Sequence, residues 1–256
     1  MIIINNQPLE TTSIMEEYPP NSIERTIIET MSASNERYYY NSIEQLKFEL
    51  RMRREIINAA EALYNSDFHF KVFRDSTCNP AYWMRTNDGG FSLQPRVRPS
   101  DAIRDIFTNS TMYGTECATA TLILYYKALL EIYPAEAFDK IFPRIYLMNW
   151  HNIDRQIGEV GMVRQVNDFF PGDRRYFANP DVDPTTPEWQ GENVIDLGNG
   201  LYYGHGIGRF AAPKFIEVLN ENRIEGADES AYLMDTAGRP DFKRLYGLYE
   251  KAVAIS

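Results

Sequence analysis

The chain has 256 residues, 44% of them hydrophobic and 13% aromatic, which is enough for one sizeable buried core and unlike a disordered or low-complexity chain. Acidic side chains outnumber basic ones by 36 to 26, a formal charge of −10, so the field of the whole molecule repels nucleic acid and anionic membranes and favours basic or lysine-bearing partners. The opening MIIINNQPLE lacks the basic flank and long apolar segment of an export signal, no run reaches the roughly 18 apolar residues of a membrane span, and two cysteines, Cys78 and Cys117, suit a reducing cytosol rather than a disulfide framework.

In chain order, the N-terminal third reads mostly helical. Ser42 followed three residues later by Gln45 has the form of a capping box. Ile43, Leu46, Leu50, Ile57, Ala60 and Leu63 then recur at helical spacing, so the longest helix is predicted over 43–63, with Arg53 interrupting its stripe. Phe68–Phe73 alternates like a strand, and Tyr82–Arg85 with Phe91–Leu93 reads as a hairpin about Asn87-Asp88-Gly89-Gly90. Pro99-Ser100-Asp101 opens a short helix with Ser100 as its cap.

Cys117–Ile132 is apolar on nearly every side and predicts a buried helix. The runs at Arg144–Asn149, Arg175–Ala178, Asn193–Leu197 and Leu201–Tyr203, each bounded by Gly, Pro, Asn or Asp, predict strands of a sheet packed against it. A helix over Ala212–Asn222 and a final strand at Ala231–Met234 complete the order. Helices first, then a buried helix followed by consecutive strands, argue for an α+β fold in one domain. The long stretch from Asn152 to Asp173 reads as a functional or mobile loop.

Cys117 follows a glutamate at the mouth of the buried helix. The positive end of the helix dipole there lowers a thiol pKa, and backbone N–H groups without helical partners can stabilise an oxyanion. A free cysteine is equally at home as a small packing residue, and Glu116 beside it repels a thiolate. A histidine would offset Glu116. Of His69, His151 and His205, the last is best placed, between Gly204 and Gly206. Glu192 lies 13 residues before it, a spacing that puts both on neighbouring strand ends of one hairpin. No cluster has zinc-site spacing, no Gly-rich loop opens a helix for phosphate, and no acidic loop has a calcium pattern, so no metal or cofactor is expected.

At this point the sequence resembles the protein-glutamine gamma-glutamyltransferases, or transglutaminases, of spore-forming bacteria. The most specific blocks are Glu116-Cys117-Ala118-Thr119-Ala120 and Gly191-Glu192-Asn193-Val194-Ile195-Asp196-Leu197-Gly198. Ala102-Ile103-Arg104-Asp105-Ile106, Asn149-Trp150-His151, Gly204-His205-Gly206 and Ser230-Ala231-Tyr232-Leu233 support them, as do Ser42-Ile43-Glu44 and Phe48-Glu49-Leu50. Together they span almost the whole chain.

The resemblance implies a papain-like core, similar to that of cell-wall cysteine peptidases, with the nucleophile at the N-terminus of a buried helix packed on an antiparallel sheet. It implies one domain over 1–256, a helical part to about 65 and a catalytic core from 66. Cys117 would attack a glutamine carboxamide of a protein, release ammonia and leave a thioester that a lysine resolves into an isopeptide cross-link. Glu192 would be its partner, Glu116 a second acid and His205 a supporting group. Trp150, Trp189 and Phe70 would wall a tunnel for the lysine side chain, and Cys78 would be a packing thiol. The implied substrates are glutamine- and lysine-bearing spore coat proteins, reached by an enzyme made in the mother-cell cytoplasm and assembled on the coat without calcium.

Reference pKa values near 4.3 for glutamate and 8.5 for cysteine leave a gap of about 5 to 6 kcal/mol for proton transfer. Burial of Glu192 beside Trp189 would raise the one, and the helix terminus would lower the other. Two other readings of the same thiol remain: a papain-like amidase or peptidase, and a non-catalytic coat protein that keeps the fold.

Overall fold

The computed structural model describes residues 1–149, 152–158 and 164–254. The chain opens with strands β1 (Ile2–Ile4) and β2 (Gln7–Pro8), then helices α1 (Thr12–Glu16) and α2 (Ile23–Ala33) and strand β3 (Tyr38–Tyr40). The three strands form a small sheet in the order β2-β1-β3, with β1 and β3 parallel. These strands, two or three residues long, are too short to show a period of two, so a helical reading of the N-terminal third passes over them. Ile2, Ile27, Ile28 and Met31 pack with Leu46 and Leu50 of the next helix in a core of their own.

That helix, α3 (Ile43–Tyr64), starts one residue later than its cap. Ser42 Oγ accepts from Gln45 N at 3.2 Å, while Gln45 Oε1 accepts from Asn41 N at 2.8 Å, so the reciprocal half of the capping box reaches one residue further back than usual. Arg53 interrupts the apolar stripe because it is buried by design of the tertiary contacts. It pairs with Glu49 at 2.9 Å and Asp173 at 2.8 Å, and its guanidinium lies over Phe170 and Phe242.

Strand β4 (His69–Phe70) is much shorter than the alternation over 68–73 suggests, because Phe73–Asp75 turns into a 3-10 helix. Strands β5 (Trp83–Arg85) and β6 (Phe91–Leu93) form the expected hairpin. Helix α4 (Pro99–Thr108) is capped differently from expectation: Arg98 is its N-cap residue, and Ser100 sits within the first turn, with its N–H and hydroxyl directed to Asp139. Strand β7 (Gly114–Thr115) leads straight into α5 (Cys117–Ile132), followed by α6 (Ala135–Ile141) and β8 (Tyr146–Leu147). The run at Arg144–Asn149 therefore yields two strand residues, and they extend the β5-β6 hairpin rather than the main sheet.

After β9 (Arg164–Gln165) come β10 (Arg174–Ala178), β11 (Gly191–Gly198), β12 (Leu201–Gly204), β13 (Gly208–Ala211), α7 (Ala212–Asn220), β14 (Tyr232–Leu233), β15 (Thr236–Ala237) and α8 (Phe242–Val253). The main sheet has the order β13-β12-β11-β10-β14, every neighbour antiparallel. The Ala231–Met234 strand is thus an edge strand and not the last one, since β15 follows and pairs with β9. Alternation along β11 divides its side chains between two faces. Ile195 and Leu197 join the central core with α3 and α5, and Val194 joins Phe177 and Phe215 beneath α7. The mixed α+β architecture is as expected, and Cys117 stands at the first position of its most buried helix.

Candidate active site

Two local devices bring the site residues together. The first is the parallel pair β4-β7, with Phe70 opposite Thr115, which sets Phe70 beside the entry to α5. The second is the hairpin β11-β12. Val194 lies opposite Gly204, so Glu192 reaches the turn that follows β12, and its Oε1 accepts from Gly206 N at 2.8 Å. Gly204 is required by space, since a Cβ there would stand 2.7 Å from Glu192 Oε1 and from a ring carbon of Phe215.

Cys117 is half-buried and opens onto a cavity of about 910 Å³ lined by Phe70, Glu116, Arg174, Tyr176, Glu188 and Asn193, among others. Contrary to the expectation from the helix dipole, its thiol is held well above the ordinary range. Burial is the largest cause, and the carboxylates of Glu192 and Glu116 add to it. Glu116 also takes up the groups that would have lowered it. As the N-cap of α5 it accepts from Ala118 N at 2.6 Å and Thr119 N at 2.7 Å, so these two N–H groups of the first turn are directed to a carboxylate. Burial raises the Glu116 carboxyl as well, against those hydrogen bonds.

Glu192 is buried, and desolvation lifts its carboxyl to about 8 despite the Gly206 N–H. The thiol and the carboxyl therefore do not approach each other from both sides; both are pushed up, and the glutamate far enough to carry a proton at neutral pH. Among the residues to which the sequence assigns no site role, Asn193 stands out: its Nδ2 donates to Cys117 Sγ at 3.5 Å. Arg174 Nη1 donates to Asn193 Oδ1 at 2.6 Å. The sequence signal for Asn193 is its place next to Glu192; Arg174 lies just before the strand predicted at Arg175–Ala178 and carries no signal of its own.

His205 is not aimed at the thiol. Its Nε2 lies 3.1 Å from the carbonyl oxygen of His69 and its Nδ1 lies 3.0 Å from Tyr203 Oη. A carbonyl accepts only, so the proton sits on Nε2 and Nδ1 accepts from the tyrosine. Burial pushes the imidazole down to about 4 and keeps it neutral. His205 thus ties the β12 turn, which carries Gly206, to β4, which carries Phe70.

Phe70 lines the cavity, and Trp189 stacks behind it at 6.2 Å between ring centroids. Trp150 and His151 lie outside the described residues; Asn149 beside them donates its N–H to Thr119 Oγ1 at 2.8 Å and lines the cavity. Cys78 is half-buried near Trp83, and burial pushes its thiol up to about 11. Among the described residues no group of three or more His, Cys, Asp or Glu side chains is placed to hold a metal ion, and no helix is long and apolar enough to cross a membrane.

The model of the family described as protein-glutamine gamma-glutamyltransferase matches residues 1–249. The chain belongs to this transglutaminase family. Protein-glutamine gamma-glutamyltransferases of Bacillus cereus (strain AH820) and Bacillus anthracis (strain A0248) are each 44% identical to it over 229 residues, covering 89% of this chain and 82% of theirs. A solved transglutaminase from Geobacillus stearothermophilus, without its C-terminal extension, superposes with a TM-score of 0.77 at 45% identity and covers 81% of this chain and 98% of that one. Transglutaminase activity is therefore the activity of this chain.

Proposed function

We propose that Cys117 and Glu192 form the working pair of this transglutaminase, on a papain-like core, in a reaction that passes through a thioester. The observation that carries the reading is a half-buried thiol on the same cavity as Glu116 and coupled to a buried glutamate lifted to about 8, while the nearby histidine has both ring nitrogens engaged elsewhere. Transfer of the thiol proton to Glu192 creates a thiolate and a carboxylic acid together. The thiolate attacks the side-chain carbonyl carbon of a glutamine, forming the S–C bond. The C–N bond then breaks, and the departing nitrogen takes the Glu192 proton and leaves as ammonia. A neutral lysine amine attacks the thioester, the carboxylate of Glu192 takes its excess proton, and the S–C bond breaks to release the isopeptide and the thiolate.

Glu116 holds the first turn of α5 and stands as a secondary acid. Phe70, with Trp189 behind it, and Trp150 would wall the route of the acceptor lysine and keep water from the thioester. Exposed Glu188 at the cavity rim would attract the lysine ammonium before it sheds its proton. The amidase alternative would need a histidine base, and the neutral, doubly engaged His205 argues against it. The proposed substrates are glutamine- and lysine-bearing spore coat proteins, met by an enzyme made in the mother cell. The Bacillus sources of the relatives support that setting. The chemistry invokes only a thiol and a carboxyl, so activity is proposed to be independent of calcium.

Acid-quenched mixtures of enzyme and a glutamine peptide should contain the Cys117 peptide carrying the substrate mass less ammonia. Coat extract should gain high-mass species with wild-type enzyme and not with Cys117→Ala. Absence of the adduct during active turnover would overturn the thioester route, and unchanged coat extract would overturn the substrate assignment.

A further inference from the structure

The two carboxylates around Cys117 oppose formation of a thiolate, and the helix N-terminus is already engaged by Glu116. Something else must favour the ionised sulfur, and the geometry points to one arrangement. Arg174 is 2% exposed, at the first position of β10, and Asn193 is 6% exposed on β11. An arginine can only donate, so its contact at 2.6 Å fixes the oxygen of the Asn193 amide toward it. The amide nitrogen is thereby forced toward Cys117 Sγ, at 3.5 Å. Sulfur accepts weakly as a thiol and strongly as a thiolate, so a donor locked in this direction favours the anion.

We propose that Arg174 and Asn193 form a relay that stabilises the Cys117 thiolate, with Asn193 the catalytic residue that touches the sulfur and Arg174 a positioning residue that acts through it. The relay rests on Cys117 being the nucleophile. Polarisation by the guanidinium strengthens the amide donor, since hydrogen bonds in series reinforce one another in a dry interior. Among the described residues, the groups that act on the thiol are Glu116 before α5, Glu192 and Asn193 on β11, and Arg174 and Tyr176 on β10. Of these, Arg174 alone is cationic.

The test is the pH dependence of iodoacetamide alkylation, read by mass on the peptide that carries Cys117, in full-length wild type, Asn193→Leu, Arg174→Met and the double variant. The double variant removes both polar partners at once, so it keeps the comparison decisive if either single variant fails to fold. The relay predicts a midpoint raised by about one pH unit or more in Asn193→Leu and in the double variant. Because Arg174 acts through Asn193, the double variant should shift no further than Asn193→Leu alone. A wild-type midpoint in the folded double variant would overturn the relay, and additive shifts would overturn the route through Asn193. Amine incorporation by Cys117→Ala at the wild-type rate would instead remove the nucleophile assignment on which the relay rests.

Discussion

A glutamate lifted to about 8 beside a thiol that is itself pushed up means that the pair holds two protons at neutral pH, and neither side chain is a base. As the pH rises through that value one proton leaves, and the one that remains is shared between sulfur and carboxyl. Only this singly protonated pair supplies a nucleophile and an acid together. With a glutamine peptide and saturating amine, kcat/KM is expected to rise with pH along a limb with an apparent pKa near 8. Glu192→Gln should lose about 10² to 10⁴-fold in rate and displace that limb upward. His205→Gln makes a sharp contrast, because a neutral strut does not titrate in the working range. It should leave the limb in place and lose only a several-fold factor, about 1 kcal/mol for a weakened hydrogen bond. A limb that moved with His205 and not with Glu192 would return the base role to the histidine.

At the scale of elements, the site is held by segments that the sequence shows poorly. The capping box at Ser42, the buried helix from Cys117 and the hairpin joining Glu192 to Gly206 are legible because each is signalled by neighbours within a few residues. The β4-β7 pair that carries Phe70 to the entry of α5 consists of two-residue strands, too short for any periodic pattern. Helix α8 is not legible in the sequence although Asp241 caps it and Phe242 and Leu245 are buried, because Gly247 and four charged residues dilute its stripe. Arg53, Asp173 and Arg174 each have a charged or polar partner more than 15 residues away, and no local pattern announces such burial. Asp173 joins α3 to β10. Burial works to raise its carboxyl, but the charges of Arg53 and Arg239 outweigh this and hold it below the usual range. Its contribution to stability is therefore complete above the ordinary aspartate range and fades as the pH falls below it. Asp173→Asn leaves two arginines facing a neutral amide and should cost about 3 to 5 kcal/mol in urea unfolding. A loss under 1 kcal/mol would show that the element junction does not depend on this charge.

For the molecule as a whole, the net charge of −10 sets how partners arrive. A basic, lysine-rich acceptor protein is drawn to such a surface, and salt screens the attraction beyond a Debye length of about 8 Å at physiological ionic strength. kcat/KM for that acceptor should fall with added salt, while kcat/KM for a small amine of single charge such as butylamine changes less. Equal salt dependence would assign no role to the field. EDTA should leave both rates unchanged, and loss of activity on chelation, restored by calcium, would contradict the calcium-independent reading. The central claim is that a cysteine and a glutamate perform the transfer. Its most direct test is ammonia release and amine incorporation on one glutamine-containing protein by wild type, Cys117→Ala and Glu192→Gln. The account predicts that both products vanish together in Cys117→Ala and fall in parallel in Glu192→Gln. Amine incorporation that survives in Cys117→Ala, or that is untouched in Glu192→Gln, would contradict it.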